Sequence, residues 1–409
     1  MMFDFWFQCS QCRRRYLVSP EHMLCDDCGA FNPDEPLKGV LDVRFSLKAG
    51  QPRPDRDLDP LDTQPVPRHF YPDLHVGSTP LWRPERLKQE ARTHRLFIKD
   101  DTRNPTGSLK DRASFLVAAF ARMHGIHEIV AASTGNAGSS MAGIGAAAGL
   151  EVTLFLPKTV PLPKIIQALQ YGARPILVDG NYNRAYSLSL EWSECRGSLN
   201  RNTAFNPLTI EGKKSVSFEI WQQLGRLPDA VFVPTGDGAI LAGVYKGFQD
   251  LCQLGLTPSV PRIFAVTAEG CPAFVHAMKT GKFTYKPGET LADSIAVEVP
   301  QNGYRALAYL KRYRGEVVPV PDEAMLEAQQ RLAALAGLFV EPSSAAAYAG
   351  YLQVRQELDA RSTVVILATG NGLKDVENAK KRLSFPRTAI NQLADLDMAF
   401  SPMPVGSET

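Results

Sequence analysis

The sequence predicts an α/β protein of two lobes, built from mainly parallel sheets covered by helices. Short, continuous apolar runs alternate with helical stretches from about residue 76 onward, and such runs are typical of strands buried on both faces. Several runs end in glycine-rich turns that open a helix, where ligands of such sheets bind. The expected strands lie at residues 96–99, 129–132, 152–156, 176–178, 231–233, 263–266 and 364–367.

Composition narrows the class of partner. The 409 residues are 44% apolar and 22% charged, which is typical of a globular chain with a sizeable core. With 45 basic and 43 acidic residues, the formal charge of +2 provides no field that would attract nucleic acid or an anionic membrane. A small molecule is therefore the expected partner.

Two apolar stretches bear on location. Residues 1–7 contain Asp4 and have no basic leader, which makes them a poor signal peptide. Residues 139–157 are rich in Gly and Ala and include Glu151, which favours a buried helix followed by a strand over a membrane span. We expect a cytoplasmic protein without a membrane segment, whose seven cysteines are reduced.

Four of the seven cysteines form two Cys-x-x-Cys pairs near the N-terminus. Cys9 and Cys12 are separated by twelve residues from Cys25 and Cys28, the spacing of a zinc ribbon with tetrahedral thiolate coordination. The pattern predicts a structural zinc in a small segment over residues 1–45; the alternative is a ribbon whose cysteines pack without metal. Four protein ligands leave no open coordination position, which argues against a catalytic metal.

Proline content divides the rest of the chain. Residues 46–75 contain six prolines between positions 52 and 72, so they are predicted to form an extended arm. The catalytic part is predicted over residues 76–399, with a smaller lobe at roughly 105–220 and a larger lobe from the remainder. Residues 400–409 are predicted to form a loose polar tail.

The first chemically distinctive turn follows the strand at 96–99. Residues 104–112 read Asn-Pro-Thr-Gly-Ser-Leu-Lys-Asp-Arg and deliver Lys110 to the start of a helix predicted at 113–123. A lysine at a positive helix end and partly out of water has a lowered pKa, which favours the neutral amine needed for imine formation. Lys110 is the candidate nucleophile, although a lysine taken at random is usually solvated.

The second turn carries hydroxyl and amide groups. Ser133 and Thr134 precede Gly-Asn136-Ala-Gly and a small-residue helix predicted at 139–148. Ser and Thr at a helix start are often only caps. Amide and hydroxyl groups at the carboxyl end of a strand also form a receptor for carboxylate and phenolate oxygens.

The third and fourth turns complete the set. Residues 234–239, Pro-Thr-Gly-Asp-Gly-Ala, precede a helix predicted at 240–250, and backbone amides there can cradle a phosphate. A carboxylate facing a phosphate is repelled, so the side chain of Asp237 is expected to turn away, as a helix cap. Thr369, after the strand at 364–367, could offer its hydroxyl to an aromatic ring nitrogen.

In order and spacing, these four turns resemble the type II fold of pyridoxal-phosphate enzymes, and they are most similar to threonine synthases with a cysteine-rich N-terminus. The likeness covers most of the chain. It includes Gly-Ser-Thr-Pro-Leu at 77–81, Asn206-Pro followed by Glu-Gly-Lys-Lys-Ser at 211–215, and Glu-Pro-Ser-Ser-Ala-Ala at 341–346. The ordered set is specific for the fold, and the family is commonly dimeric, so a homodimer is expected.

The resemblance implies roles for individual residues. Lys110 would hold pyridoxal phosphate as a Schiff base, Asn136 would bind its phenolate oxygen and Thr369 would meet its pyridine nitrogen. The implied ligands of the cofactor phosphate are Gly236, Asp237, Gly238 and Ala239. The implied ligands of the substrate are Ser133, Thr134 and Ala137, which would frame its carboxylate, and Asn206, for which a plain loop residue is the alternative.

The implied reaction converts O-phosphohomoserine and water to threonine and phosphate. The sequence departs from the family pattern at two places, which bear on the choice of substrate and not on the fold or the cofactor. Many family members carry an Arg after the Asn-Pro pair that grips the substrate phosphate, whereas this chain has Leu208 and Thr209. Lys213, Lys214 and Arg201 are the candidates to replace it. The cofactor-phosphate turn also departs, with Gly-Asp-Gly-Ala in place of an Asn-containing turn.

Two alternatives remain open at the level of sequence. A serine/threonine ammonia-lyase or a β-replacement enzyme of the same fold would use the same cofactor without a second phosphate site. A zinc-ribbon adaptor with an inactive enzyme domain is the alternative from another class, and the presence of both Lys110 and Asn136 argues against it.

Overall fold

The structure, a computed structural model, describes residues 1–87 and 95–383. Its strands are β1 (Phe3–Cys9), β2 (Arg15–Tyr16), β3 (Ala30–Asn32), β4 (Glu35–Lys38), β5 (Leu41–Leu47), β6 (Leu81–Trp82), β7 (Arg95–Asp100), β8 (Glu128–Ala132), β9 (Glu151–Pro157), β10 (Arg174–Val178), β11 (Leu199–Asn200), β12 (Ala230–Pro234), β13 (Arg262–Ala268), β14 (Glu316–Val320) and β15 (Thr363–Ala368). The predicted tail at 400–409 and the end of the predicted catalytic part lie outside the described residues.

The α-helices are α1 (Lys110–Met123), α2 (Asn136–Ala148), α3 (Leu162–Gln170), α4 (Tyr182–Arg196), α5 (Leu208–Glu211), α6 (Ser215–Leu224), α7 (Ala239–Gln253), α8 (Ala273–Thr280), α9 (Gly303–Arg312), α10 (Asp322–Ala336), α11 (Pro342–Val354) and α12 (Val376–Ala379). Among the described residues, none of these helices combines the length and the apolar character that a bilayer crossing requires.

A small antiparallel module forms the N-terminus. Its sheet has the order β2-β1-β5, and a separate hairpin pairs β3 with β4. Phe3 and Phe7 of β1 are buried; Phe7 pairs with Val43 of β5, and the ring of Phe3 contacts the ring of Phe45. One face of the sheet therefore packs onto the rest of the chain, as the period of two along a strand requires.

Two parallel sheets form the two lobes. The smaller sheet has the order β10-β9-β8-β11, and the larger has the order β14-β13-β12-β15-β7-β6, with only β6 antiparallel. The predicted two-lobed α/β fold with mainly parallel sheets is confirmed. Neighbouring parallel strands end at the same edge, so β12 and β15 bring the turns at 234–239 and 369–372 together.

One predicted strand differs from expectation. The run at 176–178 was expected to be buried on both faces, but β10 is the edge strand of the smaller sheet and Leu177 is 59% exposed. The prediction of full burial is wrong there, because an apolar run does not reveal whether a strand lies at the centre or the edge of its sheet.

The proline-rich arm lies against the protein. It contains short 3-10 helices at Pro60–Thr63 and Arg68–Phe70, and its residues 63–66 are buried. Gln222 of α6 donates hydrogen bonds of 2.8 Å to the carbonyl oxygens of both Arg56 and Leu58. The arm is thus anchored along α6.

Candidate active site

A cavity of about 590 Å³ lies where the turns of the two lobes meet. It is lined from the smaller lobe by residues after β8, and from the larger lobe by residues after β12 and β15. The predicted site residues that line it are Lys110, Ser133, Thr134, Asn136, Ala137, Gly236, Asp237, Gly238, Ala239 and Thr369.

Lys110 is the first residue of α1, and a network of hydrogen bonds holds its turn. The Asp111 carboxylate accepts a 2.7 Å hydrogen bond from the amide of Thr106. The amide of Leu109 donates to the carbonyl oxygen of Thr369 at 2.9 Å. The lysine turn is thereby joined to the end of β15 in the larger sheet.

The surroundings of Lys110 favour its neutral amine. Burial is the largest cause that lowers its pKa; the carboxylate of Glu341 opposes this effect, and the positive charge of Arg201 adds to it. A neutral amine is the form that attacks a carbonyl carbon. The lysine therefore has the electrostatic character that imine formation requires.

A buried ionic network fixes the start of α1. The guanidinium of Arg112 contacts Asp101 at 2.6 Å and Glu219 at 2.8 Å, and Glu219 also contacts the ammonium of Lys99 at 2.6 Å. Burial raises the pKa of Glu219, but the charges of Arg112 and Lys99 outweigh it and lower that pKa to about 2. These paired charges hold the lysine turn against the larger lobe.

Asn136 and Ser133 occupy the second turn. The amide nitrogen of Asn136 donates to both carboxylate oxygens of Glu341, at 2.9 and 3.1 Å, and to the hydroxyl of Ser294 at 3.2 Å. The hydroxyl of Ser133 accepts from the amide of Gly138, in the first turn of α2, at 3.1 Å, and Ser133 also lines the cavity. Its role as part of a carboxylate receptor stays a prediction.

The third turn presents the N-terminus of α7 to the cavity. Gly238 has a φ of 82°, and a Cβ there would come within 2.9 Å of the Cβ of Ala306, so glycine is required for both reasons. Backbone amides at such a helix start favour an anion. The geometry fits a phosphate group.

Asp237 does not cap the helix, so that prediction is wrong. The cap of α7 is Gly238, without a side-chain hydrogen bond. One oxygen of Asp237 instead accepts a 2.6 Å bond from the amide of Gln301, and the other is buried without a partner among the described residues. Burial raises the pKa of Asp237 to about 7, which makes its neutral form accessible at physiological pH.

Asn206 lies outside the lining of the cavity. Its amide nitrogen donates to the carbonyl oxygen of Asn200 at 2.9 Å, and its amide oxygen accepts from the amide of Leu208 at 2.9 Å. This geometry corresponds to the plain loop interpretation, and a contact between Asn206 and substrate stays a prediction.

The three candidate cations differ in their surroundings. Lys214 is paired with Asp250 at 2.9 Å and lies away from the cavity. Lys213 lines the cavity, and Arg201 hydrogen-bonds a lining residue, Thr203. Lys213 and Lys214 are both fully buried.

Several lining residues had no role assigned from the sequence. The carboxylate of Glu341 and the hydroxyl of Ser294 both accept hydrogen bonds from the side-chain amide of Asn136. Tyr182 also lines the cavity and donates to the carbonyl oxygen of Ala132 at 3.2 Å. Glu341 opens the motif at 341–346, so that motif was the available signal for it; Ser294 and Tyr182 carry no recognisable pattern.

The four N-terminal cysteines converge. Their sulfur atoms all lie within 4.8 Å of one another, in the N-terminal module and away from the cavity. Tetrahedral coordination with zinc–sulfur bonds of roughly 2.3 Å requires sulfur atoms roughly 3.8 Å apart. The arrangement is compatible with a tetrathiolate metal site.

The cavity, the lysine of lowered pKa and the glycine turn at a helix start define the class of this protein as a pyridoxal-phosphate-dependent enzyme of fold type II. A family model described as pyridoxal-phosphate dependent enzyme matches residues 72–370.

Curated relatives identify the family within this class. A threonine synthase from Methanosarcina acetivorans is 34% identical over 381 residues, which are 87% of this chain and 92% of the relative. One from Methanocaldococcus jannaschii is 35% identical and covers 75% of this chain and 77% of its own length. One from Synechocystis sp. is 37% identical, with 75% of this chain and 79% of the relative covered. The chain therefore belongs to the threonine synthase family and is a threonine synthase-like lyase.

Solved structures support the fold alone. A processed form of threonine deaminase isoform 2 from Solanum lycopersicum has a TM-score of 0.66 at 22% identity, covering 79% of this chain and 90% of that one. Maize serine racemase has a TM-score of 0.64 at 23% identity, covering 73% and 89%. Since both identities are below 25%, they carry no argument about the reaction.

Proposed function

We propose that this enzyme converts O-phospho-L-homoserine and water to L-threonine and phosphate. The observation that carries the proposal is one cavity that holds Lys110, Asn136 and the glycine turn at 236–239, in a chain similar to threonine synthases over 87% of its length. The fold alone is shared with deaminases and racemases, so the choice of reaction depends on the curated relatives.

The residues that would hold the cofactor are drawn from both lobes. Lys110 would bind it covalently, Asn136 its phenolate oxygen and Thr369 its ring nitrogen. Gly236, Asp237, Gly238 and Ala239 would hold its phosphate at the start of α7, where backbone amides and the helix dipole favour an anion. When bound, pyridoxal phosphate supplies an electron sink that acidifies hydrogens next to the substrate amino group.

The chain itself supplies the proton transfers. In the overall reaction the Cγ–O bond to phosphate breaks and one Cβ–H bond breaks. A C–O bond to the oxygen of water forms at Cβ, and Cγ gains a proton to become a methyl group. The amine of Lys110 is the group proposed to take the α-proton and to exchange protons at Cβ and Cγ, because burial lowers its pKa and so favours the neutral amine that can accept a proton.

Substrate orientation is proposed for the second turn. Ser133, Thr134 and Ala137 line the cavity beside the start of α2, where amide groups favour the substrate carboxylate. Asn206 is retained as a predicted substrate ligand only through the family resemblance, since its amide is engaged by backbone groups.

Product analysis tests the reaction. The purified protein, loaded with pyridoxal phosphate, is expected to release phosphate from O-phospho-L-homoserine and to form threonine in equal amounts. If threonine or serine instead gave a 2-oxo acid, and phosphohomoserine were unchanged, the enzyme would be an ammonia-lyase of the same fold. Absence of a cofactor absorbance band in protein incubated with pyridoxal phosphate would favour the adaptor alternative.

We further propose that the four thiols bind a structural zinc ion and that the enzyme is a cytoplasmic homodimer. The zinc proposal is supported by the sulfur atoms of Cys9, Cys12, Cys25 and Cys28, which lie within 4.8 Å of one another. The dimer and the location are supported by family resemblance, and light scattering of the purified enzyme checks the dimer.

A further inference from the structure

A buried carboxylate, that of Glu341, reaches from the larger lobe to the smaller one. Glu341 is 5% exposed, and its carboxylate lies on the backbone at the end of β15, where a Cβ on Gly370 would come within 2.3 Å of it. Its two oxygens accept hydrogen bonds of 3.1 and 2.9 Å from the side-chain amide of Asn136, at the start of α2. Glu341 therefore joins the end of the larger sheet to a residue that is proposed to bind the cofactor.

The carboxylate of Glu341 has no structural task of its own helix to perform. Glu341 is the N-cap residue of α11, yet its side chain makes no capping hydrogen bond. Burial of a carboxylate is costly unless charges or hydrogen bonds compensate it. Other buried carboxylates of the described chain have a cation within ion-pair distance, as do Asp101, Glu219 and Asp250. Among the described residues, the direct partner of Glu341 is instead the neutral amide of Asn136.

An ionised carboxylate determines which way the amide of Asn136 points. A carboxylate only accepts hydrogen bonds, whereas a side-chain amide carries two N–H groups on its nitrogen and acceptors on its oxygen. The nitrogen must therefore face Glu341, because the amide oxygen in that place would meet two further acceptors. One N–H serves the carboxylate, and the second is available to the hydroxyl of Ser294, at 3.2 Å, or to a ligand in the cavity.

The same contact determines where Asn136 lies. The groups proposed to hold the cofactor phosphate and its ring nitrogen belong to the larger lobe, at the start of α7 and after β15, whereas Asn136 belongs to the smaller lobe. A molecule held by both lobes is bound well only if the groups of both are in register. Glu341 supplies that register, because it holds Asn136 from the larger lobe.

We propose that Glu341 is a positioning residue, whose carboxylate holds the amide of Asn136 so that an N–H group, and not the amide oxygen, faces the phenolate oxygen of the cofactor. This inference rests on the cofactor contact proposed for Asn136, and it is independent of the choice of substrate. A donor aimed at the phenolate stabilises the deprotonated oxygen, whereas an acceptor in its place would destabilise it.

Cofactor binding without substrate is the direct measurement. Glu341→Met keeps the length of the side chain but removes the acceptor. It should weaken binding of pyridoxal phosphate to the apoenzyme about tenfold or more, as expected for loss of one hydrogen bond to a charged oxygen. The absorbance of the bound cofactor should shift toward the form with a protonated phenol. Glu341→Gln retains one acceptor oxygen and should restore part of both properties.

A second background separates positioning from a simple effect of charge. Glu341 also raises the pKa of Lys110 through its charge, so its loss could act on the lysine alone. Residues in one contact do not have additive effects when one acts through the other. The loss of affinity caused by Glu341→Met should therefore shrink to about threefold or less in the Asn136→Ala background, and the shift in absorbance should shrink with it.

The control is Glu327→Gln, which removes an exposed carboxylate that contacts Arg331 at 2.8 Å, outside the lining of the cavity. It should leave cofactor affinity and absorbance unchanged. Thermal unfolding of each apoenzyme verifies that the variants are folded. If Glu341→Met does not fold, Glu341→Gln, which keeps the shape of the side chain, is compared in the two backgrounds in its place.

Three results would overturn the positioning role. Equal fold-changes for Glu341→Met in the wild-type and Asn136→Ala backgrounds would leave only an effect of charge on Lys110. Unchanged affinity and absorbance in both Glu341 variants, with Asn136→Ala impaired, would show that Asn136 needs no support. Unchanged binding in Asn136→Ala would reject the proposed cofactor contact and the positioning role together. Failure to convert O-phospho-L-homoserine would reject the proposed reaction alone, since none of these measurements uses substrate.

Discussion

At the scale of single residues, burial sets the chemical state of the groups around the cavity. The pKa of Lys110 is lowered mainly because its amine is removed from water, and the pKa of Asp237 is raised for the same reason. The amine and the carboxyl group, whose ionised forms carry opposite charges, are thus both shifted toward the uncharged form, as desolvation requires. The sequence predicted the lysine effect from its place at a helix start, whereas the carboxyl effect comes from burial, which outweighs the hydrogen bond from the amide of Gln301 that lowers the pKa of Asp237.

Removal of the Lys110 amine tests its assignment. Lys110→Ala is expected to abolish the absorbance band of covalently bound cofactor. It should also lower the rate of threonine formation by roughly 10²–10⁴-fold or more, which is the usual contribution of a general acid–base group to the rate. Absorbance titration with pyridoxal phosphate and a phosphate-release assay measure both. Lys158→Ala is the surface control, and an unchanged band in Lys110→Ala would show that another residue anchors the cofactor.

The raised pKa of Asp237 predicts a pH dependence of cofactor binding. Below about pH 7 its carboxyl is protonated and can lie beside a phosphate, whereas above pH 7 it becomes a carboxylate that repels one. Cofactor affinity of the wild type should therefore fall relative to that of Asp237→Asn as pH rises from 6 to 9. Titration of the apoenzyme at each pH measures the ratio, and a ratio independent of pH would contradict the protonation argument.

At the scale of elements, the glycines of α7 let the neighbouring chain approach closely. A Cβ on Gly247 would come within 2.3 Å of the carbonyl oxygen of Lys214, and one on Gly243 within 2.6 Å of the Cβ of Lys213. The path that leads into α6 is therefore packed directly on the α7 backbone. This contact helps to fix Lys213 at the cavity and Lys214 in its ion pairs.

Substitution of Gly247 measures this packing. Alanine has a higher helix propensity than glycine by about 1 kcal/mol, so Gly247→Ala would stabilise an unconstrained helix. Here the clash with a backbone oxygen should dominate, and we expect a net loss of about 1–3 kcal/mol in the free energy of unfolding, which is typical of overpacking. Urea unfolding provides the value, and a stabilised variant would mean that α7 shifts without cost.

At the scale of the whole molecule, the N-terminal module contributes to the active-site cavity. Its β3–β4 hairpin supplies Pro33 to the lining. Phe31 stacks on Tyr186 of the smaller lobe, with ring centroids 4.8 Å apart, and the amide of Leu37 donates to the carbonyl oxygen of Gln301 in the larger lobe at 3.0 Å. The hairpin therefore bridges both lobes at the cavity, which argues against a module that serves only as an adaptor.

Loss of the metal site should therefore affect catalysis from a distance. A variant with Cys25→Ser and Cys28→Ser is expected to lose zinc, to exchange amide hydrogens faster in the hairpin and near Gln301, and to lose kcat/KM by several-fold while Lys110 stays in place. Metal analysis, hydrogen exchange and kinetics measure these effects. Cys195→Ser, an exposed cysteine outside the module, is the control. Zinc content equal to wild type would reject the metal site.

The sequence by itself determined the parallel sheets, the four turns and the cysteine cluster, because each depends on local order: apolar runs form strands, and parallel strands end at one edge. Tertiary structure alone decided the roles of neighbours such as Lys213 and Lys214. The two lysines end the 3-10 helix at Gly212–Lys214, in which successive residues point about 120° apart, so one reaches the cavity and the other Asp250. Charge state and pairing depend on groups distant along the chain, which is why Glu341 and the exposed edge of β10 were not predicted.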